Sequence, residues 1–196
     1  MKRSIKIVGT LGLLLAGNVV FAQKEKTVVA DDNKSHEKSL LLQTKEQDLE
    51  AKKKAAAEEK ASLPKPYNAK ANAEKDIQAL IVKAKKEKKN IMIQAGGNWC
   101  IWCLRFNQYV QTTPELKQLV DENYVYYHLN WSPDNKNEKV FAQYGNPGDT
   151  FGYPVFIVLD HNGKQIHIQD SAVLEENKGY SLEKVKTFFN TWKPTS

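Results

Sequence analysis

The chain has 196 residues, 41% of them hydrophobic and 27% charged, with two cysteines and a formal net charge of +6. That length holds one globular domain with an appendage rather than two large domains, and a single cysteine pair excludes both a disulfide-dense scaffold and a four-thiolate zinc site. The charge divides as +3 over residues 1–22, +5 over 23–89 and −2 over 90–196; the basic excess lies apart from the candidate chemistry and is interleaved with acids, which disfavours a nucleic-acid groove.

Met1, Lys2, Arg3 and Lys6 open a basic head, Ile7 to Val20 form a short apolar run, and Val20-Phe21-Ala22 ends it with small residues at the −3 and −1 positions. Residues 1–22 read as a secretory signal peptide cut after Ala22. The run is shorter than the roughly 20 apolar residues that span a bilayer, so no stable membrane span is expected after cleavage. The implied location is periplasmic or secreted, where a cysteine pair can cycle or stay oxidised.

Residues 23–70 form a charged extension and linker, rich in Lys, Glu, Ala and Gln, with too few apolar residues to bury a face. They read as helical or disordered. Leu42, Leu49 and Ala56 fall seven apart, which leaves a short coiled-coil seam open beside a solvated helix or tether. Pro64-Lys65-Pro66 breaks any helix and marks the linker.

Residues 71–196 carry the domain. Ile77, Leu80, Ile81 and Ala84 repeat at helical spacing and predict an amphipathic helix within residues 71–89. Ile91-Met92-Ile93-Gln94-Ala95 is apolar on both faces, as a central strand covered by helices on each side should be. A helix is expected to begin near Cys100, and Thr113-Pro114-Glu115 starts another running to about Glu122. Tyr124 to Trp131, aromatic and β-branched, predicts a second strand.

A helix from about Asn137 to Tyr144 precedes a loop containing Pro147, Gly148 and Gly152. Val155 to Leu159 form a buried strand, and Asn162-Gly163 turns it back as a hairpin through Lys164 to Gln169. Ser181 caps a last helix with Leu182, Val185, Phe189 and Trp192 facing inward. The order implies an α/β fold, a central mixed sheet flanked by helices.

The chemistry sits in Trp99-Cys100-Ile101-Trp102-Cys103. Two thiols three apart in a first helical turn are close enough to form a disulfide. The first faces the helix N-terminus, whose free N–H groups and dipole favour its thiolate. Cys100 is therefore the expected nucleophile and Cys103 the resolving thiol. An inert staple is the competing reading, although so short a loop removes little chain entropy. A metal site would need two more ligands; His161 and His167 flank the hairpin turn, far along the chain from Cys103, and neither metal nor other cofactor is expected.

Trp99-Cys100-x-x-Cys103 after a buried strand, Leu129-Asn130 in the next, Gly152-Tyr153-Pro154 before a third and the Asn162-Gly163 hairpin together resemble the thioredoxin superfamily over about residues 71–193. The resemblance is strongest to secreted thioredoxin-like proteins of the bacterial envelope. It implies a thioredoxin-like fold, dithiol–disulfide exchange on protein substrates, a cis bond between Tyr153 and Pro154, and backbone pairing of Tyr153 with substrate. Trp99, Ile101, Trp102 and Tyr153 would form an apolar rim around a substrate cystine; Trp99 is expected mainly to pack beside the helix and Trp102 to be exposed and face substrate.

Three departures from the family stand out. Ile101 and Trp102 replace the Gly-Pro of thioredoxin between the cysteines, so its redox poise does not transfer. Gln94 falls where thioredoxin has a buried acid that helps deprotonate the resolving thiol, and an amide is no base. His128 aligns with the lysine beside that acid; it either assists proton transfer through water or is a partly buried strand histidine.

The chain thus reads as a thiol–disulfide oxidoreductase, working reductively on proteins with disulfides or thiols and coupled to an envelope electron donor or acceptor. The alternative is a thioredoxin-fold binding module whose charged arm docks a partner and whose disulfide is structural.

Overall fold

The computed structural model describes residues 28–195, so the signal peptide expected at residues 1–22 lies outside the described residues. The chain divides into two units between Lys53 and Lys54. The first contains most of helix α1 (Val28–Ser62), whose residues 34–53 are exposed throughout. Leu40, Leu41, Leu42 and Leu49 all stand in solvent on a helix with no apolar stripe.

The second unit is built on a sheet and its covering helices. Helix α2 (Ala73–Glu87) starts at Asn72, whose side chain accepts a hydrogen bond from the Lys75 N–H, and buries Ile77 and Ala84. It leads into β1 (Asn90–Gly96), buried along its whole length. Helix α3 (Ile101–Thr112) follows, then α4 (Pro114–Asn123). Thr113 precedes α4 but makes no capping bond with its side chain; Pro114 and Glu115 start the helix instead.

Strand β2 (Tyr124–Asn130) runs parallel to β1 and sets Gln94 opposite His128. After α5 (Glu138–Gln143) comes a one-turn helix, α6 (Pro147–Phe151), where the sequence predicts a loop. Its proline supplies the first-turn φ, and Asn146 before it takes a positive φ of 49°. Strands β3 (Val155–Leu159) and β4 (Gln165–Asp170) form the antiparallel hairpin.

Between that hairpin and the last helix, α7 (Leu182–Trp192), the chain makes a 3-10 turn at Ala172–Leu174 and a small ladder, β5 (Glu175–Glu176) with β6 (Gly179–Tyr180). Two-residue strands carry no periodicity, so this ladder leaves no signature in the sequence.

The main sheet has the order β2-β1-β3-β4, with β1 parallel to β2 and antiparallel to β3. Alternation along β1 feeds two cores. Ile91, Ile93 and Ala95 pack with Ile77, Ala84, Val140 and Phe141 on one face. Met92 joins Phe106, Val110, Phe156, Val185 and Phe189 on the other. The mixed sheet with helices on both faces is the architecture expected from the sequence. It places the C-terminal end of β1 and the start of α3 together, which is where the cysteines lie.

Candidate active site

Strand β1 ends at Gly96, and residues 97–99 carry the chain to Cys100, which occupies the N-cap of α3 in an extended conformation (φ −91°, ψ 110°). The Cys103 N–H donates to Cys100 Sγ at 3.1 Å, so the first sulfur holds the position a capping oxygen would take. The two cysteines form a disulfide with their Cα atoms 5.3 Å apart. Cys100 keeps a small solvent-accessible edge, whereas Cys103 is fully buried. An opened pair would therefore offer one sulfur to a visitor and keep the other behind it.

Facing the disulfide is the segment before β3. The Tyr153–Pro154 peptide bond is cis, and the Tyr153 carbonyl oxygen lies 3.5 Å from Cys100 Sγ. Gly152 enters this segment with φ +72°, a conformation glycine reaches without steric cost. Pro154 is buried, while Tyr153 is half-buried against Trp99 (ring centroids 5.7 Å) and Trp131 (5.8 Å).

The two tryptophans of the motif exchange the places expected for them. Trp99 is the exposed one, at 44%, with its indole N–H donating to the Trp131 carbonyl at 2.7 Å. Trp102 is half-buried: Arg105 lies 4.9 Å over its ring, and Tyr180 meets it edge-on at 5.7 Å. The periodicity of α3 turns Trp102 toward β6, an element invisible in the sequence. Ile101 is half-buried at the first position of α3.

Behind Cys103 the packing is polar. Gln94 is fully buried, donates to the Cys103 carbonyl at 2.9 Å and accepts from the Tyr126 hydroxyl at 2.8 Å. His128 lies beside Tyr126 (5.2 Å) and Tyr67 (5.1 Å) with its Nε2 buried and unpartnered. Burial pulls its pKa down to about 4, so the imidazole is neutral at physiological pH.

Residues before 71 contribute more than a linker. Tyr67 is buried against both cysteines. It is held by Asn98, which accepts from the Tyr67 N–H at 3.1 Å and donates to the Tyr67 carbonyl at 2.8 Å. Glu59 in the last turns of α1 takes a bidentate pair from Arg105, at 2.7 and 2.6 Å, which lowers the pKa of Glu59. In sequence these residues sit in a polar run without periodicity; a lone Tyr after Pro64-Lys65-Pro66 was the only available signal.

Residues 72–161 match the family model described as thioredoxin-like. Among solved structures, a disulphide isomerase from Xylella fastidiosa Temecula1 superposes with a TM-score of 0.58 at 20% identity, over 66% of this chain and 98% of that one. A redox protein from Chlamydomonas reinhardtii matches at a TM-score of 0.42 and 20% identity, over 63% and 35%. A protein titled DsbH oxidoreductase matches at 0.42 and 20%, over 58% and 78%. No curated protein matches the chain. The domain has a thioredoxin-like fold, with its cysteine pair at disulfide distance at the start of α3.

Proposed function

We propose that this protein is a thiol–disulfide oxidoreductase that exchanges disulfides with protein substrates through Cys100 and Cys103, working in the reductive direction. The observation that carries the reading is the asymmetry of the pair: Cys100 caps α3 and receives the Cys103 N–H, while Cys103 is sealed inside. An N–H donor and the helix dipole stabilise a thiolate on Cys100 far more than on its buried partner.

In the dithiol form Cys100 thiolate attacks one sulfur of a substrate disulfide, breaking that bond and releasing one substrate thiolate, which takes a proton from water. Cys103 then gives its proton to water and attacks Cys100 Sγ, breaking the mixed disulfide and releasing the second substrate thiolate, which takes a proton from water in turn. Two electrons pass from the pair to the substrate, and an envelope electron donor restores the dithiol. Trp99, Tyr153 and Ile101 form the surface on which a polypeptide rests, with the buried Pro154 setting the Tyr153 backbone that pairs to it. The signal peptide at residues 1–22, the extension at 23–70 and the domain at 71–196 suit a periplasmic or secreted protein.

Insulin reduction tests the reading. Cys100→Ser should abolish turnover and Cys103→Ser should accumulate mixed disulfides; full activity in Cys100→Ser would falsify it. A disulfide that resists dithiothreitol in the wild-type chain would instead favour a binding module with a structural staple.

A further inference from the structure

Among the described residues two buried side-chain polar atoms lack a hydrogen-bond partner, Tyr67 Oη and His128 Nε2, and their rings touch edge-on at 5.1 Å. Buried hydroxyls are rarely left unpaired, because their lost hydration is not repaid. The Tyr67 ring packs against the resolving cysteine. A side-chain carbon built on Gly96 would stand 3.1 Å from Tyr67 Oη and 2.5 Å from Cys103 Sγ, so hydroxyl and sulfur both crowd the side of Gly96 and approach it as closely as they do because it carries no side chain.

The other polar groups near Cys103 are committed elsewhere. Gln94 gives its amide to the Cys103 carbonyl and its oxygen to Tyr126; it lies near enough to the Tyr67 hydroxyl to lower its pKa somewhat, but forms no hydrogen bond of good geometry with it. Tyr67 itself is fixed through Asn98, one residue before Trp99 and two before the nucleophile. Its ring packs against both cysteines in one apolar cluster. Burial keeps the Tyr67 hydroxyl protonated well beyond the ordinary phenol range, so it remains a donor.

A sulfur fixed in a disulfide is a poor acceptor, a thiol sulfur free to turn toward the donor a better one, and a thiolate a strong one. Resting on the exchange reading above, we propose that Tyr67 is a positioning residue for the resolving thiol: its hydroxyl, unpaired in the disulfide form, donates to Cys103 Sγ once the bond is reduced. The same hydroxyl is then orphaned in one redox form and satisfied in the other. It favours the dithiol, and it stabilises the Cys103 thiolate that attacks the mixed disulfide, a task the amide of Gln94 does not perform. No electron or proton is transferred to Tyr67; it lends a hydrogen bond to the group that reacts.

The full chain, wild type and Tyr67→Phe, is equilibrated with glutathione buffers, and the disulfide fraction is read by alkylation and mass. Tyr67→Phe should shift the equilibrium about tenfold toward the disulfide. A change below twofold, or a shift toward the dithiol, overturns the proposal. Unfolding of each redox form supplies the second readout. Oxidised Tyr67→Phe should be at least as stable as oxidised wild type, and reduced Tyr67→Phe less stable than reduced wild type. Equal losses in both forms, or a variant that fails to fold when oxidised, mark a packing role and overturn it. A wild-type pair that never equilibrates with glutathione removes the exchange reading, and this one with it; that outcome is visible without the variant.

Discussion

Gln94 lies fully buried under Cys103, with its side-chain amide donating to the Cys103 carbonyl oxygen at 2.9 Å and its carbonyl accepting the Tyr126 hydroxyl at 2.8 Å. Both ends of the side chain are engaged in neutral hydrogen bonds. The residue therefore anchors the first turn of α3 to β1 and offers the resolving thiol no proton acceptor.

From this follows slow resolution of the mixed disulfide. Gln94→Asp should place a base near Cys103 and accelerate release at least tenfold at neutral pH, while costing about 1–2 kcal/mol of stability for the lost amide bond. Single-turnover reaction with an aromatic disulfide separates the steps, since the first aromatic thiol reports attack by Cys100 and the second reports attack by Cys103. An unchanged second phase would show that Gln94 does not limit resolution.

The parts of the fold whose physics is local are legible in the sequence. Ile91 to Ala95 announced a strand buried on both faces, the stripe from Ile77 to Ala84 announced α2, and two cysteines at a helix start announced the disulfide. The rest depended on tertiary neighbours. Trp102 is covered because Tyr180 sits on a two-residue strand that no periodicity marks, and because Arg105 lies across its ring. Tyr67 belongs to the site because Asn98 reaches it from 31 residues away. A polar linker gives no hint that its one aromatic residue packs against the cysteines.

His128 supplies a pH dependence with a definite sign. Its folded pKa of about 4 lies below the ordinary 6.5, so the folded state binds fewer protons than the unfolded chain between those values. The stability this neutral histidine preserves is complete above about pH 6.5, falls as pH drops toward 4, and changes no further below that. The loss amounts to roughly 3 kcal/mol. His128→Phe, which keeps a ring against Tyr67 and Tyr126, should remove this slope without weakening the protein at pH 7, because Nε2 has no partner to lose. Urea unfolding at pH 7, 6, 5 and 4.5 makes the comparison, and parallel curves for the two proteins would contradict it. Glu59, whose pKa Arg105 lowers from 4.5, keeps its own contribution above that value and loses it only as pH falls further.

The Glu59–Arg105 pair joins the end of α1 to the helix that carries the cysteines. Arg105 is mostly covered and Glu59 is about two-fifths exposed, so solvent screens the pair and its worth is small. A double-mutant cycle of Glu59→Ala and Arg105→Ala, read by urea unfolding, should give a coupling of about 0.5–1 kcal/mol. Arg105→Ala should also uncover Trp102, because the guanidinium lies 4.9 Å over that ring. Glu59→Ala leaves the cation in place, so acrylamide should quench fluorescence more strongly in Arg105→Ala than in Glu59→Ala. Additive energies together with equal quenching would mean that the contact neither orders Arg105 nor shields the indole.

Gly96 controls the other side of the buried sulfur. A methyl group there would sit 2.5 Å from Cys103 Sγ and 3.1 Å from Tyr67 Oη, inside van der Waals contact with both. Overpacking of this kind typically costs 1–3 kcal/mol. The cost falls unequally on the two redox forms, since a disulfide fixes Cys103 Sγ in place while a free thiol can turn about its Cα–Cβ bond to another rotamer. Gly96→Ala should therefore destabilise the oxidised protein by about 1–3 kcal/mol, the reduced protein by less, and move the glutathione equilibrium toward the dithiol. This is the direction opposite to that of Tyr67→Phe, although both substitutions alter the same space beside one sulfur. Loss of a steric opening and loss of a hydroxyl are thereby distinguished by sign, and a shift toward the disulfide in Gly96→Ala would show that the crowding is relieved by the backbone instead of by Cys103.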